Sequence, residues 1–445
     1  MQKPPFFEPI RARAHERWNQ LEADPELAGP WHQLFKQVQS PRHVVSELLQ
    51  NADDAGATEA AVDIKGEEFV FSHNGEDFAE EHFASLCRFG YSNKRALHTI
   101  GFRGVGFKST FSLGDEVRLL TPTLSVGFHR QRFTEPLWID RPHPTRTEVR
   151  VSIKDEHRGR ELRKNLQEWL KSPTSLLFFR HIRSLSIEDQ EVRWVSHGQG
   201  PLPESEWMAL SMEPDTRYLL LRSPAEEFSE EALEEIRQER MISLEEEGDF
   251  PPCRVEIVLG IEGRLFVILP TGVKVGLPFA CNAPFVQDPA RVKIKDPDIS
   301  PTNRWLLKRV GELAAKGMLA WLNRTDLTAE ERCDAYDLLT DIDRSDASLE
   351  ETCASRVEEA FEAVVEHEDW VLDESGELEQ SGKCVAVPSV LLDVWSPQQV
   401  GAFFIDQDRK ILYNLIASEN GQKLIRWGAA QQLSFLRLIY HPFSS

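Results

Sequence analysis

Between residues 40 and 55 the apolar positions Val44, Val45, Leu48, Leu49, Ala52 and Ala55 recur at helical spacing. At roughly 100° per residue they fall on one arc of about 140°. Ser40 and Pro41 form a helix start, because the hydroxyl can cap free N–H groups and proline is tolerated at the first helical position. Glu47, Asn51 and Asp54 fall on a neighbouring arc of about 60°. The helix therefore carries a core face and, beside it, a row of two carboxylates and an amide. That row is either a solvated edge or a working surface, and the helix by itself allows both.

Alternation takes over downstream. AAVDI (60–64), a KGE turn and EFVFS (68–72) predict a hairpin, which runs into His73-Asn74-Gly75-Glu76-Asp77-Phe78. A second helix is expected at about 79–89, then a polar stretch at 90–100 and the glycine-rich run GFRGVGFKSTF at 101–111. Strands are expected near 115–121, 124–129 and 147–153, followed by a helix in KDEHRGRELRKNLQEWL. Strands gathered in pairs around helices predict an α/β (α+β) sandwich rather than a doubly wound parallel fold. Residues 8–38 read as helical, anchored by Trp18, Leu21, Trp31, Leu34 and Phe35 and broken at Pro25 and Pro30. They either pack on the first domain or swap onto a partner chain.

Beyond 185, RSLSIE, RYLLLRS, CRVEIVLG and RLFVILPT each read as a strand, and 229–241 as an acidic helix with a solvated outer face. Residues 326–445 read as mostly helical, near 328–341, 348–367 and 420–440, around a hairpin at 370–387. The expected organisation is three domains, 1–185, 186–325 and 326–445. The apolar run LSFLRLIYHPF near the C-terminus is either core or an interface, and an end there also suits a fragment of a longer protein.

Composition narrows the classes. The 445 residues suffice for two or three cores. No window nears the ~18 consecutive apolar residues needed to span a membrane, and MQKPPFFEPIRARAHERW lacks the apolar segment of a signal peptide. Six scattered cysteines without a CxxC pair point to reduced thiols in a cytoplasmic protein and away from zinc. Residues 1–200 hold 27 Lys+Arg against 28 Asp+Glu, so the net charge of −22 lies almost entirely beyond them. An acidic second half is a poor general surface for a phosphate backbone, so nucleic acid is not the favoured partner.

Gly101, Gly104 and Gly106 within six residues let backbone N–H groups turn toward an anion with no Cβ in the way. The same density also serves an ordinary turn. Gly101 and Gly106 followed by Lys108-Ser109 come near a Walker A loop, but Phe107 intrudes and no apolar strand precedes Gly101, which speaks against that reading.

With helix, hairpin and glycine loop together, residues 40–155 resemble the GHKL ATPases, the superfamily of gyrase B, MutL, sensor histidine kinases and the 90-kDa heat-shock chaperone. ELLQNADDAGA followed by GFRGVGFKSTF is most similar to the chaperone-type domains of sacsin-like proteins. The resemblance implies a Bergerat-type nucleotide-binding domain followed by a second, transducer-like α/β domain. It implies ATP and Mg²⁺ as ligands, with Glu47 as the base that polarises water, Asn51 as the Mg²⁺ ligand and Asp54 as a supporting carboxylate. Gly101, Gly104, Val105, Gly106 and Phe107 correspond to the phosphate loop, Lys94 to the lid, and Thr147 and Phe78 to the nucleotide's surroundings. The middle box departs from the pattern: His73 stands where an aspartate receives the adenine amine, and Asp77 replaces the second glycine. His73 or Asn74 is then the expected acceptor. Arg291, Lys293 and Lys295 are either a solvated basic loop or a source of the cation that a neighbouring domain extends to the γ-phosphate.

Three functions follow as expectations. The first is slow, Mg²⁺-dependent ATP hydrolysis driving lid closure, ATP-dependent homodimer formation and conformational change in a chaperone-like or assembly-switch protein with a protein partner or client. The second is a non-hydrolysing nucleotide module in a larger assembly, such as a bacterial (antiviral) defence complex. The third is DNA-linked remodelling of the MutL or MORC type.

Overall fold

The structure, a computed structural model, describes residues 3–24, 26, 41, 44–88, 107–171, 173–240, 250–288, 292–342, 347–404, 409–416 and 418–433. Ser40, Lys94, Gly101, Gly104, Val105, Gly106, Arg291 and nearly all of the C-terminal apolar run lie outside the described residues. The chain is a mixed α/β protein that divides into two compact units. The first comprises Met1–Val195, Ala209–Thr216 and Glu239–Pro251; the second comprises Ser196–Met208, Arg217–Gln238 and Pro252–Ser445. None of the described helices is long and apolar enough to cross a membrane.

In the first unit the sequence alternation becomes strands β1 (Glu59–Lys65) and β2 (Glu68–His73), an antiparallel hairpin in which Lys65 faces Glu68. Gly66 closes the turn at φ 65°, a conformation costly for any residue with a Cβ. Strands β3 (Glu116–Leu120), β4 (Ser125–His129), β5 (Leu137–Trp138), β6 (Thr147–Ser152), β7 (Ser184–Ile187) and β8 (Gln190–Gln199) extend the sheet. Their order within this unit is β8-β7-β1-β2-β6-β3-β4-β5, antiparallel throughout except where β1 runs parallel to β7.

Period 2 places Phe69, Phe71 and His73 on one buried face, with their register partners Val151, Val149 and Thr147 on β6. The Val44–Asp54 helix packs on β2 and on the short 3₁₀ helix Phe107–Ser112. Val44, Val45, Leu48, Leu49 and Ala52 are buried, as the periodicity predicts. Each such side chain contributes roughly 1.5–3 kcal/mol when fully withdrawn from water. Gly56 ends the helix in the left-handed region at φ 71°, and Ala57 N–H reaches back to Ala52 O at 3.0 Å.

The Phe7–Ala23 helix packs on its own unit. Phe7 meets Trp138 edge-on at 5.2 Å, Trp18 meets Phe133 at 5.2 Å, and Trp18 Nε1–H donates to Thr134 Oγ1 at 2.8 Å. Arg132 adds a fork to Glu22.

Strands β8, β9 (Ser205–Leu210) and β10 (Glu213–Arg222) each have residues in both units. Within the second unit β10 pairs with β11 (Glu256–Leu259), and β11 with β14 (Phe279–Asn282). The stretch RLFVILPT corrects the reading of one strand. It is two antiparallel strands, β12 (Arg264–Val267) and β13 (Leu269–Lys274), folded about Ile268 at φ 62°. Asn282 Oδ1 accepts the Ile268 N–H at 2.7 Å, a tertiary contact that holds this strained residue in place.

Ser300 caps the Pro301–Leu322 helix, which packs along the Leu349–Val365 helix. Gly311 permits that approach, since a Cβ there would lie 2.1 Å from Val357 O. Of the expected 370–387 hairpin, β15 (Asp369–Leu372) and β16 (Leu378–Gln380) form the antiparallel pair. β17 (Cys384–Ala386) instead lies parallel between β18 (Lys410–Ile411) and β19 (Ala430–Gln432). The expected helix at 420–440 is Ser418–Arg426, and β19 replaces its continuation.

Candidate functional site

The candidate site is built on the Val44–Asp54 helix and the edge of the buried sheet face below it. Glu47 and Asn51 are both half-buried and one turn apart, so they share a face. Asp54, one further turn along, is exposed. Asp53 is the carboxylate that enters the interior. It is 3% exposed, and its oxygens accept N–H bonds from Arg180 (3.1 Å), His181 (2.8 Å) and Ile182 (3.0 Å). Three converging donors satisfy the carboxylate oxygens and tie the helix to the segment that leads into β7. The sequence signal for this role was its angle: Asp53 lies only about 40° from Leu49 on the helical wheel.

His73 and Thr147 are widely separated in sequence yet face each other directly across β2 and β6. Both are buried, at 7% and 2% exposure. Thr147 Oγ1 is enclosed and, among the described residues, has no hydrogen-bond partner, an arrangement that folded proteins rarely leave unfilled. His73 Nδ1 accepts the Gly75 N–H at 3.1 Å. Burial pushes the His73 imidazole down to about 4, so the ring is neutral at pH 7. With Nδ1 accepting, the single ring proton resides on Nε2, and His73 presents a donor.

His73 and Asn74, the expected acceptors of an adenine amine, both use their acceptor atoms on N–H groups of the chain itself. His73 spends its acceptor on Gly75. Asn74 spends its carbonyl on the N–H groups of Thr58 (2.9 Å) and Glu59 (3.0 Å) and donates to Thr58 Oγ1 at 2.8 Å. The turn itself is fastened to the end of the helix, where Glu76 N–H donates to Ala55 O at 2.8 Å. A Cβ on Gly75 would lie 2.7 Å from that same oxygen, so the glycine is required by close approach.

Phe78 is half-buried, and Phe107 is buried edge-on to Phe128 at 5.7 Å. Lys108, the Walker-like lysine, is committed to the core. Its Nζ donates to Leu86 O, lies 5.4 and 5.6 Å from the Phe107 and Phe128 ring centres, and is pushed down by burial to about 8. Such an ammonium is placed for packing rather than for phosphate.

Lys293 and Lys295 belong to the second unit. Lys293 is exposed and 3.9 Å from Glu350, while Lys295 is 3.8 Å from Glu235. Asn303 staples this loop through Val286 and Lys295. Among the described residues no three His, Cys, Asp or Glu side chains group to hold a metal on their own.

No protein-family model matches the chain. Over 174 residues it is 32% identical to the DNA mismatch repair protein MutL of Chlorobium chlorochromatii (strain CaD3), a match covering 35% of this chain and 26% of that protein. The matched part is thus about a quarter of the relative's length.

Proposed function

We propose that this chain is a GHKL-type ATPase that binds ATP with Mg²⁺ in the first unit and uses its hydrolysis to change conformation. The observation that carries the reading is the opposition of His73 and Thr147 on one buried face, next to a helix that bears Glu47 and Asn51 one turn apart. The sequence likeness to MutL, itself one of the GHKL proteins, adds support. An amide oxygen from Asn51 suits a hard cation that keeps most of its waters and is held chiefly by phosphates. Bound Mg²⁺ would supply charge neutralisation on those phosphates.

Glu47 is the group that orients and deprotonates the attacking water, as its helix-borne, half-buried position allows. Asp53 positions the helix from behind, and Asp54 lies on its exposed side. The domains expected at 1–185, 186–325 and 326–445, the phosphate-loop glycines, Lys94 of the lid, and Arg291 or Lys293 as a trans-acting cation belong to the same proposal. So do nucleotide-dependent pairing of two copies and a chaperone-like or assembly-switch role.

The relative's name, a mismatch repair protein, favours DNA-linked remodelling as the second reading. Salt-dependent retardation of duplex DNA by the purified chain would bring that reading forward. ATP turnover and nucleotide affinity of wild type and Glu47→Ala test the first: turnover is lost and binding kept in the variant. Binding without hydrolysis in both proteins would replace it with a non-hydrolysing nucleotide module.

A further inference from the structure

A cavity of about 920 Å³ opens within the second unit, and none of its lining residues is assigned above to nucleotide. Its wall includes Trp207 of β9 and Trp321 of the Pro301–Leu322 helix, whose rings meet edge-on at 5.5 Å. Leu219 and Leu259 add to this apolar area. Glu331, Asp334 and Asp337 line the same cavity, and all three are exposed. They recur at every third residue through the Ala329–Cys333 helix and the 3₁₀ turn Asp334–Leu338, a spacing that keeps them on one face. Each carboxylate is thereby advanced by roughly 4.5–6 Å along the axis from the one before.

The cations in the wall do not balance this row. Arg324 is forked onto Asp326, and Lys423 lies 3.9 Å from Glu419. Arg217 has no ion pair among the described residues, which sets one free positive charge against three carboxylates. Partial desolvation, with Asp337, Glu330 and Glu331 nearby, holds the Asp334 carboxyl above its usual range. Asn420, on the Ser418–Arg426 helix, is an independent sign of a missing donor. It lines the cavity at 4% exposure, and its Nδ2–H donates to Asp337 Oδ1 at 2.7 Å. Its Oδ1 accepts no hydrogen bond among the described residues, an acceptor of the kind that folded proteins rarely leave unused. A metal ion does not answer these groups, since no three His, Cys, Asp or Glu side chains among the described residues gather to hold one.

We propose that this cavity binds an aliphatic polyamine, a chain of ammonium groups joined by methylenes. The ammonium groups donate to Asp334, Asp337 and the Asn420 carbonyl, with Glu331 next in the row, and the methylenes cover Trp207 and Trp321. Three or four methylenes set neighbouring ammonium groups about 5–6 Å apart by standard bond lengths, which matches the advance of the carboxylates. A volume of about 920 Å³ lies within the range of small-molecule sites. This role is independent of ATP binding, and failure of either leaves the other in place.

Calorimetric titration of the full chain with spermidine tests it, beside Asp334→Asn, Asp337→Asn and a surface control, Glu230→Gln, on the acidic helix Glu230–Arg240. The titrations are run at about 150 mM salt, where diffuse attraction to the acidic surface is screened within about 8 Å. Wild type is expected to bind one spermidine per chain, saturably. Each aspartate variant is expected to weaken binding about tenfold or more, the scale of one hydrogen bond to a charged group, and Glu230→Gln to leave it unchanged. The wild-type titration needs no variant, so misfolding of either aspartate variant leaves the test standing. Absence of saturable binding to wild type overturns the proposal. So does equal affinity in wild type and the two folded aspartate variants, or a loss in Glu230→Gln as large as theirs. A triarginine peptide is titrated alongside, because a guanidinium from a partner's basic segment meets the same carboxylates. Binding of that peptide without binding of spermidine overturns the polyamine assignment.

Discussion

Asp53 offers the most direct test of how the candidate helix is held. Replacing it with alanine removes the acceptor of three backbone N–H groups, those of Arg180, His181 and Ile182, at a site 3% exposed. A hydrogen bond to a charged group contributes about 1.5–3 kcal/mol, and a buried donor left without a partner costs about 1–3 kcal/mol. The three bonds share one carboxylate and are not additive, so the expected loss for Asp53→Ala is about 3–5 kcal/mol. Asp53→Asn retains one oxygen and is expected to lose about 2–3 kcal/mol. With a urea slope of about 2 kcal/mol/M, Asp53→Ala shifts the midpoint by roughly 2 M. Tryptophan fluorescence during urea unfolding reads this in the transition that belongs to the first unit, which contains Trp18 packed on Phe133. Asp54→Ala, on the exposed side, is expected to cost less than about 1 kcal/mol. An Asp53→Ala midpoint within about 0.3 M of wild type, on the same slope, would refute the account of Asp53 as the helix's anchor.

Two other perturbations follow from the packing. His73 is neutral when folded, with its imidazole lowered from 6.5 to about 4, so its contribution is complete above pH 6.5 and is lost as pH falls toward 4. The loss amounts to about 3 kcal/mol, and in His73→Gln the slope of stability against pH over that window is expected to flatten; an unchanged slope rules out His73 as its source. Gly311→Ala places a methyl 2.1 Å from Val357 O and is expected to lower the stability of the second unit by about 3 kcal/mol, read in the same urea experiment. A variant as stable as wild type would mean that the two helices can separate without penalty.

The legible parts of the fold were those governed by local periodicity. Alternation in 60–64 and 68–72 placed the hairpin within one residue of β1 and β2, and the apolar arc named the side chains buried beneath the Val44–Asp54 helix. What escaped was set by tertiary contacts. Ile268 folds RLFVILPT into two strands although a β-branched residue is a poor turn former, because Asn282, fourteen residues on, receives its N–H. The 420–440 run was apolar enough for a helix, yet pairing with β17 draws Ala430–Gln432 into a strand. Within the site, spacing alone put Glu47 and Asn51 on one helical face, whereas Thr147 entered through the resemblance and its opposition to His73 is set by the β2–β6 register. Asp53 carried a signal in its helical-wheel angle beside Leu49, which sets it apart from Asp54 and which burial bears out, but its backbone partners at 180–182 are set by tertiary structure. That the acceptors of His73 and Asn74 are taken up by the chain itself depended on which backbone N–H groups lie near them.

The central claim is that the Glu47 flank of the helix is a catalytic surface. Single-turnover hydrolysis of ATP with Mg²⁺, measured beside ATP affinity for wild type and Glu47→Ala, tests it most directly. The account predicts measurable wild-type turnover, at least a hundredfold loss in Glu47→Ala, and affinities within about threefold of each other. Equal turnover in the two proteins, with ATP bound by both, would contradict it.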